Sequence, residues 1–265
     1  MNLHGNDLFG DEIKIKPVNI LSERFEFPPF SILDARQGYW QKRKQAWISQ
    51  GIQSELGREC AAFNTQNWFE AKGWTGAVKG NTSIFDPVLT ELMYKWFCPS
   101  GGQIVDPFAG GSVRGIIAGL LGYKYHGIEL SARQVDANDT QRQTIAPDTD
   151  IKWITGDSAI HLSDAPQADF IFSCPPYGNL EVYSNDPSDL SNMTYPKFIE
   201  VYRNIIALSA KRLKQNRFAC FVVGEYRDKK TGNYVGFVPD TIRAFKDAGM
   251  QLYNEAILIL SLIHI

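Results

Sequence analysis

The chain has 265 residues, of which 44% are hydrophobic, and 27 basic against 29 acidic side chains give it a formal net charge of −2. This length suffices for one large α/β domain with a modest appendage. The charge balance excludes a globally basic protein that coats nucleic acid, so any polyanion would have to be bound at local patches.

The four cysteines are scattered along the chain without C-x-x-C spacing, at Cys60, Cys98, Cys174 and Cys220. This pattern argues against a disulfide framework and a structural metal site, and it favours a reducing compartment. The first ten residues lack a signal-peptide pattern, and no apolar run approaches the roughly eighteen residues of a membrane span. We therefore expect a cytoplasmic protein with neither a metal nor a membrane as its partner.

Residues 1–70 are expected to form an N-terminal arm followed by a basic and aromatic helical segment. A helix is predicted over 40–52, with Lys42, Arg43 and Lys44 on its exposed side. The last six residues, 260–265 (LSLIHI), are similar to translated sequencing-adapter DNA, and we expect a non-native tail there. The alternative is that they extend the preceding strand.

Between these two segments, residues 71–259 are expected to form the main domain. Asp86 and Pro87 are typical of a helix start, as N-cap and first helical residue. Further along, apolar strands alternate with helices: strands at 103–105, 125–130, 151–155, 169–173, 218–223 and 252–259, and helices at 112–121, 132–142, 197–213 and 239–248. The alternation predicts an α/β fold with a doubly wound parallel sheet and a ligand site at the carboxyl ends of the strands.

A glycine-containing run, Asp106-Pro107-Phe108-Ala109-Gly110-Gly111-Ser112, follows the strand 103–105 and opens a helix. Its glycines allow a sharp turn that approaches a ligand closely. Glu129 ends the next strand, where a carboxylate suits the two hydroxyls of a ribose, and Asp157 follows the third, where it suits an adenine amino group. Pro107 and Phe108 would crowd a pyrophosphate, so a nucleoside without phosphates is the predicted ligand. The alternative is an ordinary turn with an acidic helix start.

A second run, Cys174-Pro175-Pro176-Tyr177, follows the strand 169–173. Two prolines end the strand because they cannot donate to its ladder. They also stiffen the loop and leave carbonyl acceptors beside an aromatic ring. The alternative is a plain proline turn with a core tyrosine.

In combination, DPFAGGS and CPPY resemble motifs I and IV of the S-adenosylmethionine-dependent amino-methyltransferases of DNA, and residues 26–60 resemble small phage and prophage DNA methylases. The resemblance implies a Rossmann-like sheet whose last antiparallel strand is missing through C-terminal truncation. It also implies S-adenosylmethionine as cofactor, double-stranded DNA as partner, and methylation of cytosine N4 or adenine N6 in a flipped-out base, as in restriction-modification.

The resemblance further implies which residues form the site. The cofactor would be held by the glycine run, by the two acidic strand ends with their following residues, and by a motif X region: Asp106, Pro107, Phe108, Ala109, Gly110, Gly111, Ser112, Glu129, Leu130, Asp157, Ser158, Lys79, Ser83 and Phe85. The catalytic loop would comprise Ser173, Cys174, Pro175, Pro176 and Tyr177, with the tyrosine stacked on the target base.

Position 174 departs from the family, which usually has Asp, Asn or Ser before PPY, since a thiol is a weaker acceptor. Three explanations stay open: Ser173 supplies the oxygen, the Pro175 carbonyl suffices as acceptor, or the protein is slow or inactive. Two other functions also stay open: an RNA guanine-N2 methyltransferase, and a non-catalytic protein that binds cofactor and DNA. Basic groups at 42–44, 211–217 and 227–230 and the loop 178–196 are candidate DNA contacts.

Overall fold

A computed structural model describes residues 31–53, 56, 85–178, 186–228 and 230–260. Lys79, Ser83 and the expected tail beyond residue 260 lie outside the described residues. The helices are α1 (Gly38–Ile48), α2 (Pro87–Phe97), α3 (Val113–Leu120), α4 (Ala132–Ile145), α5 (Ser158–His161), α6 (Tyr195–Arg212) and α7 (Phe237–Asp247). The strands are β1 (Ile32–Asp34), β2 (Gln103–Asp106), β3 (Lys124–Glu129), β4 (Ile151–Thr155), β5 (Ala168–Ser173), β6 (Leu213–Phe221) and β7 (Ile257–Ile259).

Five of the strands form one sheet in the order β4-β3-β2-β5-β6, and every neighbouring pair is parallel. Successive residues of a strand point to opposite faces, so a sheet covered on both sides needs continuous apolar runs. Ile104 packs into one core cluster and Val105 into the other, and Phe170 and Ile171 divide in the same way. The predicted doubly wound α/β fold is confirmed.

The helices divide between the two faces of this sheet. Residues of α2, α3 and α4 pack into one cluster, while residues of α6 and α7 pack into the other. Among the described residues, no helix is both long and apolar enough to cross a membrane.

The chain reverses its direction of winding between β2 and β5. From β2 it passes through α3 to β3 on one side, whereas β5 pairs with the other edge of β2, with Ile104 opposite Phe170. Loops that leave two such strands diverge and open a crevice at the carboxyl ends of the strands. The loops that follow Asp106 and Ser173 therefore border the same crevice.

A separate two-stranded parallel sheet joins β1 to β7, with Ile32 opposite Ile257. The sequence predicted no strand at 32–34 and a longer final strand at 252–259. Only the last three of those residues are extended in the sheet, and Tyr253 is 75% exposed.

Helix α1 corrects the expected exposure of the basic run at 42–44. Lys42 is exposed, but the Arg43 guanidinium binds the buried carboxylate of Glu91, and the Lys44 ammonium lies 3.3 Å from Asp86. Burial opposes ionisation of Glu91, yet Arg43 holds the pKa of this carboxyl below its usual value. Two of the three cations therefore hold α1 on α2 instead of facing solvent.

Candidate active site

Asp106, the last residue of β2, lies completely buried beneath the glycine run. Its Oδ1 accepts hydrogen bonds from the Ser173 hydroxyl at 2.5 Å and the Phe108 amide at 3.1 Å. Its Oδ2 accepts from the Arg114 Nε at 2.6 Å and the Tyr125 hydroxyl at 2.7 Å. Four donors therefore surround this carboxylate, and it shapes the loop from below.

Arg114 is the principal site residue that the sequence interpretation missed. It lies buried in the first turn of α3, and besides Asp106 it donates to the carbonyl oxygens of Phe108 at 2.5 Å and Ala109 at 3.0 Å. Burial alone would lower its pKa, but the Asp106 carboxylate outweighs that effect and raises it. The available signal was the one charged residue in an otherwise apolar helix, VRGIIAGL.

Of the three predicted motif X residues, Phe85 is the one that lies within the described part of the chain. The guanidinium of Arg114 lies 4.5 Å from the centroid of the Phe85 ring, which in turn contacts the Phe172 ring edge-on at 5.7 Å. Phe85 therefore contacts the group that braces the glycine run from below.

Gly110 turns the glycine run toward the end of β3. Its φ of +53° is in the left-handed region, and a Cβ built there would meet nothing within 4 Å. Its amide donates to Glu129 at 2.9 Å, and the Ser131 amide donates to the other oxygen of the same carboxylate at 2.9 Å. Two backbone amides therefore fix the orientation of this carboxylate at the end of β3.

A buried polar row on α4 holds the glycine run from its other side. Asn138 donates its side-chain amide to the Gly110 carbonyl at 2.8 Å, and Gln141 accepts from the Ser112 hydroxyl at 3.0 Å. Gln141 also binds both the amide and the carbonyl of Gln53, at 2.8 and 2.7 Å. The run is therefore tied to the N-terminal segment as well, a connection that no sequence motif indicates.

Asp157 and Ser158 connect the end of β4 to the same loop. Asp157 caps α5 by accepting from the Ala159 amide at 2.8 Å, and the Ser158 hydroxyl donates to the Pro107 carbonyl at 2.5 Å. A cavity of about 540 Å³ opens beside Asp157. Its lining is Asp157, Ala159, Pro187, Ser188, Met193, Glu200, Val201 and Asn204.

Ser173 connects the CPPY loop to the glycine run. Its side chain is fully buried, and the hydroxyl that donates to Asp106 also accepts from the Phe108 amide at 3.1 Å. The interpretation in which Ser173 supplies an acceptor oxygen in place of residue 174 is not supported by this arrangement, because the hydroxyl is occupied within the scaffold. Cys174 is half-buried, with its Sγ 3.9 Å from the Tyr177 hydroxyl.

Aromatic side chains from α6, α7 and the β6–α7 connection pack behind the CPPY loop. The Tyr177 ring meets Phe237 edge-on at 6.0 Å. Gly178 has a φ of +54°, and a Cβ there would lie 2.1 Å from the hydroxyl oxygen of Tyr226. Burial, with a smaller contribution from Glu225, raises the pKa of Tyr226 to about 12, so the phenol is neutral.

The loops that follow β2, β3, β4 and β5, which carry most of the predicted site residues, are thus joined to one another by hydrogen bonds. The runs after β2 and β5 meet through Asp106 and Ser173, and the ends of β3 and β4 join them through Glu129 and Ser158. Leu130 and Gly111 lie half-buried in the same loops.

Comparison with known proteins found no family model that matches the sequence and no matching curated protein. Among solved structures, the chain is similar to TrmN from Thermus thermophilus, with a TM-score of 0.43, 14% identity and a match over 53% of this chain and 39% of that one. A putative rRNA-methylase from Clostridium thermocellum matches with a TM-score of 0.46 and 13% identity, over 64% of this chain and 86% of that one. NSun6 from Pyrococcus horikoshii with SFG matches with a TM-score of 0.46 and 18% identity, over 66% of this chain and 44% of that one. The chain thus spans about two fifths of TrmN. These values describe a likeness in chain path and assign no activity.

Proposed function

We propose that the protein is an S-adenosylmethionine-dependent methyltransferase that modifies the N4 amine of cytosine or the N6 amine of adenine, in a base flipped out of duplex DNA. The observation that carries the proposal is the hydrogen bond between Ser173 and Asp106. It joins the two loops that the sequence resemblance assigns to the methyl donor and to the amine. The hydrogen bond holds these two loops next to each other, and such proximity of donor and acceptor is what catalysis requires.

The residues around the glycine run fit a nucleoside cofactor. Open space lies beside Gly110, and the Glu129 carboxylate, oriented by two backbone amides, is an acceptor for ribose hydroxyls. Asp157 uses Oδ1 to cap α5, which leaves Oδ2 to accept from an adenine amino group. When bound, S-adenosylmethionine supplies an electrophilic methyl group on its sulfonium sulfur.

The CPPY loop supplies the acceptors that make the amine reactive. An exocyclic amine is a weak nucleophile because its lone pair is delocalised into the ring. Acceptors that bind its hydrogens localise that lone pair, and such preorganised groups contribute several kcal/mol. Because the Ser173 hydroxyl is engaged with Asp106, the Pro175 carbonyl is the main acceptor, and the Cys174 thiol is a weak second one.

Tyr177 stabilises the extruded base in this proposal. Base flipping costs a few kcal/mol, and stacking a base on an aromatic ring contributes about 1–3 kcal/mol of stabilising free energy. Phe237 contacts the Tyr177 ring edge-on and restricts its motion. Stacking therefore offsets much of the cost of unpairing the target.

The substitution at position 174 also supports a second candidate, a protein that binds cofactor and DNA but transfers methyl groups slowly or not at all. The specific observation concerns the side chains: the Ser173 hydroxyl is engaged with Asp106, and residue 174 has a thiol in place of an oxygen.

Nucleoside mass spectrometry separates these possibilities. The purified protein is incubated with methyl-labelled S-adenosylmethionine and with either duplex DNA or RNA, followed by digestion to nucleosides. Labelled N4-methylcytosine or N6-methyladenine supports the proposal, and labelled N2-methylguanine from RNA assigns the RNA alternative. Cofactor binding without label in any nucleoside supports the non-catalytic candidate. Tyr177→Ala is the matched control, which should lose transfer and keep cofactor affinity.

A further inference from the structure

The chain folds back on itself between β6 and α7, next to the CPPY loop. The Tyr226 carbonyl accepts from the Val235 amide at 3.0 Å, and the Asp228 amide donates to the Asn233 carbonyl at 2.9 Å. Arg227 and Tyr234 pair as an antiparallel bridge between these two contacts. The described residues 226–228 and 230–235 therefore form a short hairpin, called the 226–235 hairpin below, and those between 227 and 234 are exposed.

The base of this hairpin is fixed to the candidate active site. The Glu225 carboxylate accepts from the amides of Gly236 at 2.9 Å and Phe237 at 3.1 Å, which locks the hairpin onto the start of α7. The Tyr226 hydroxyl fills the space that a side chain at Gly178 would need. Gly178 directly follows the CPPY loop in the chain. The contact between Tyr226 and Gly178 therefore places the hairpin next to this loop.

The exposed part of the hairpin carries cations and an aromatic ring. The Arg227 guanidinium lies 4.2 Å from the centroid of the Tyr234 ring, which is 64% exposed, and donates to the Gly232 carbonyl at 2.8 Å. Lys230 is exposed in the turn. The hairpin's acidic residue, Asp228, accepts from the amides of Lys230 and Thr231 and so closes the turn. Stacking on a ring preorganises an arginine for contact with an anion.

The other two basic groups of the sequence lie elsewhere in the fold. Arg43 and Lys44 bind carboxylates of α2 and its cap. Lys214 and Arg217 bind Asp169 at 2.8 and 3.3 Å, near the start of β5 and thus at the opposite end of the strand from Ser173. Of the three groups, the hairpin is the one whose described residues border the CPPY loop.

We infer that the 226–235 hairpin binds the phosphodiester backbone of duplex DNA beside the target base, with Arg227 and Lys230 on phosphates and Tyr234 holding the arginine in place. The inference rests on the proposed function, because it takes the nucleic acid that the CPPY loop modifies as the partner. Contacts of this kind fix the position of a duplex and carry no sequence information.

The test compares the double variant Arg227→Gln/Lys230→Gln with the wild type by fluorescence anisotropy on a labelled duplex across a salt series. Loss of each phosphate contact should make the slope of log affinity against log salt shallower by about 0.9, and weaken binding about ten-fold at low salt. The matched control is Lys152→Gln/Lys211→Gln, which removes the same charge from exposed positions at the other end of the sheet. The charge-preserving Arg227→Lys/Lys230→Arg should restore the slope. Melting temperature and cofactor affinity should match the wild type in all variants.

Unchanged duplex affinity and salt slope in the hairpin variant would overturn the inference while leaving the proposed function intact, provided that the wild type methylates DNA. A loss confined to single-stranded RNA would overturn the DNA assignment in favour of RNA. A wild type that binds cofactor but neither binds nor methylates duplex DNA would defeat the proposed function, and the inference with it.

Discussion

The Ser173 hydroxyl donates to the Asp106 carboxylate across 2.5 Å, which joins the last residues of two neighbouring parallel strands. Both side chains are fully buried at the point where the winding of the sheet reverses. The same hydroxyl also accepts a hydrogen bond from the Phe108 amide, so this one side chain binds both the glycine run and the end of the strand that precedes the CPPY loop.

Ser173→Ala should therefore weaken cofactor binding. The change leaves the Phe108 amide short of one acceptor and Asp106 short of one donor, a loss of about 1–3 kcal/mol in stability. Urea denaturation and the KM for cofactor measure the two effects. A fall in kcat with an unchanged cofactor KM and unchanged stability would instead identify Ser173 as an acceptor for substrate.

Asp106→Asn should strongly destabilise the protein, because it leaves the Arg114 guanidinium buried without a counterion. Breaking a buried pair from one side costs about 3–5 kcal/mol of unfolding free energy. The control is Asp150→Asn, which breaks an exposed pair with Lys124 and should change the stability little. Equal unfolding free energies for the two variants would contradict the role assigned to the Asp106 network.

Gly178→Ala should displace the CPPY loop, because φ is +54° and the new methyl group would meet the Tyr226 hydroxyl. Methyl transfer should fall at least ten-fold while cofactor affinity is retained. Adding Tyr226→Phe removes the obstructing oxygen and should restore part of the activity. Gly224→Ala, where a Cβ meets nothing within 4 Å, serves as the control. Wild-type activity in Gly178→Ala would refute the proposed packing.

Cys174→Asn should raise kcat, because an amide carbonyl accepts a hydrogen bond better than a thiol. An improvement of about 1 kcal/mol in the transition state corresponds to roughly five-fold in rate. Cys174→Ala should leave kcat nearly unchanged if the Pro175 carbonyl is the main acceptor. Loss of activity in both variants would show that the thiol itself has a required role.

Acid should destabilise the protein through His126. Burial and the nearby Lys152 lower the pKa of His126 in the folded chain, so the unfolded chain takes up the proton at a higher pH. The free energy of unfolding should therefore be highest above about pH 7 and fall as the pH drops through about 6.5, the unfolded value. His126→Gln should flatten this dependence in denaturation series below neutral pH. An identical slope in both proteins would exclude His126 as its source.

The sequence predicted elements best where local chemistry decides them. The strand over Ile151–Thr155 was predicted with its observed bounds, and the helix after Asp86 begins at Pro87 because its cap and first residue are encoded locally. The start of β6 was placed at 218, five residues beyond the observed Leu213, since its first half is polar. Asn216 there has a φ of +56°, and the pairing with β5 shifts register, which periodicity does not reveal.

The sequence indicated which loops carry the candidate site, but it did not reveal the hydrogen-bond network that connects them. Acidic and glycine residues at strand ends follow from spacing, because parallel strands present their carboxyl ends on one edge. Arg114 and Gln141 were missed because a polar residue on a helix is ordinarily exposed. The pairing of β1 with β7 joins residues more than two hundred positions apart, a contact that no local pattern encodes.

The most direct test of the central claim is a single-turnover transfer from pre-bound, methyl-labelled S-adenosylmethionine to duplex DNA, with the position of the label determined by mass spectrometry. The account predicts label on the N4 of cytosine or the N6 of adenine, and none on the protein. Label on carbon 5 of a pyrimidine, or a methylated Cys174 with unmodified DNA, would contradict direct transfer to an amine held beside the CPPY loop.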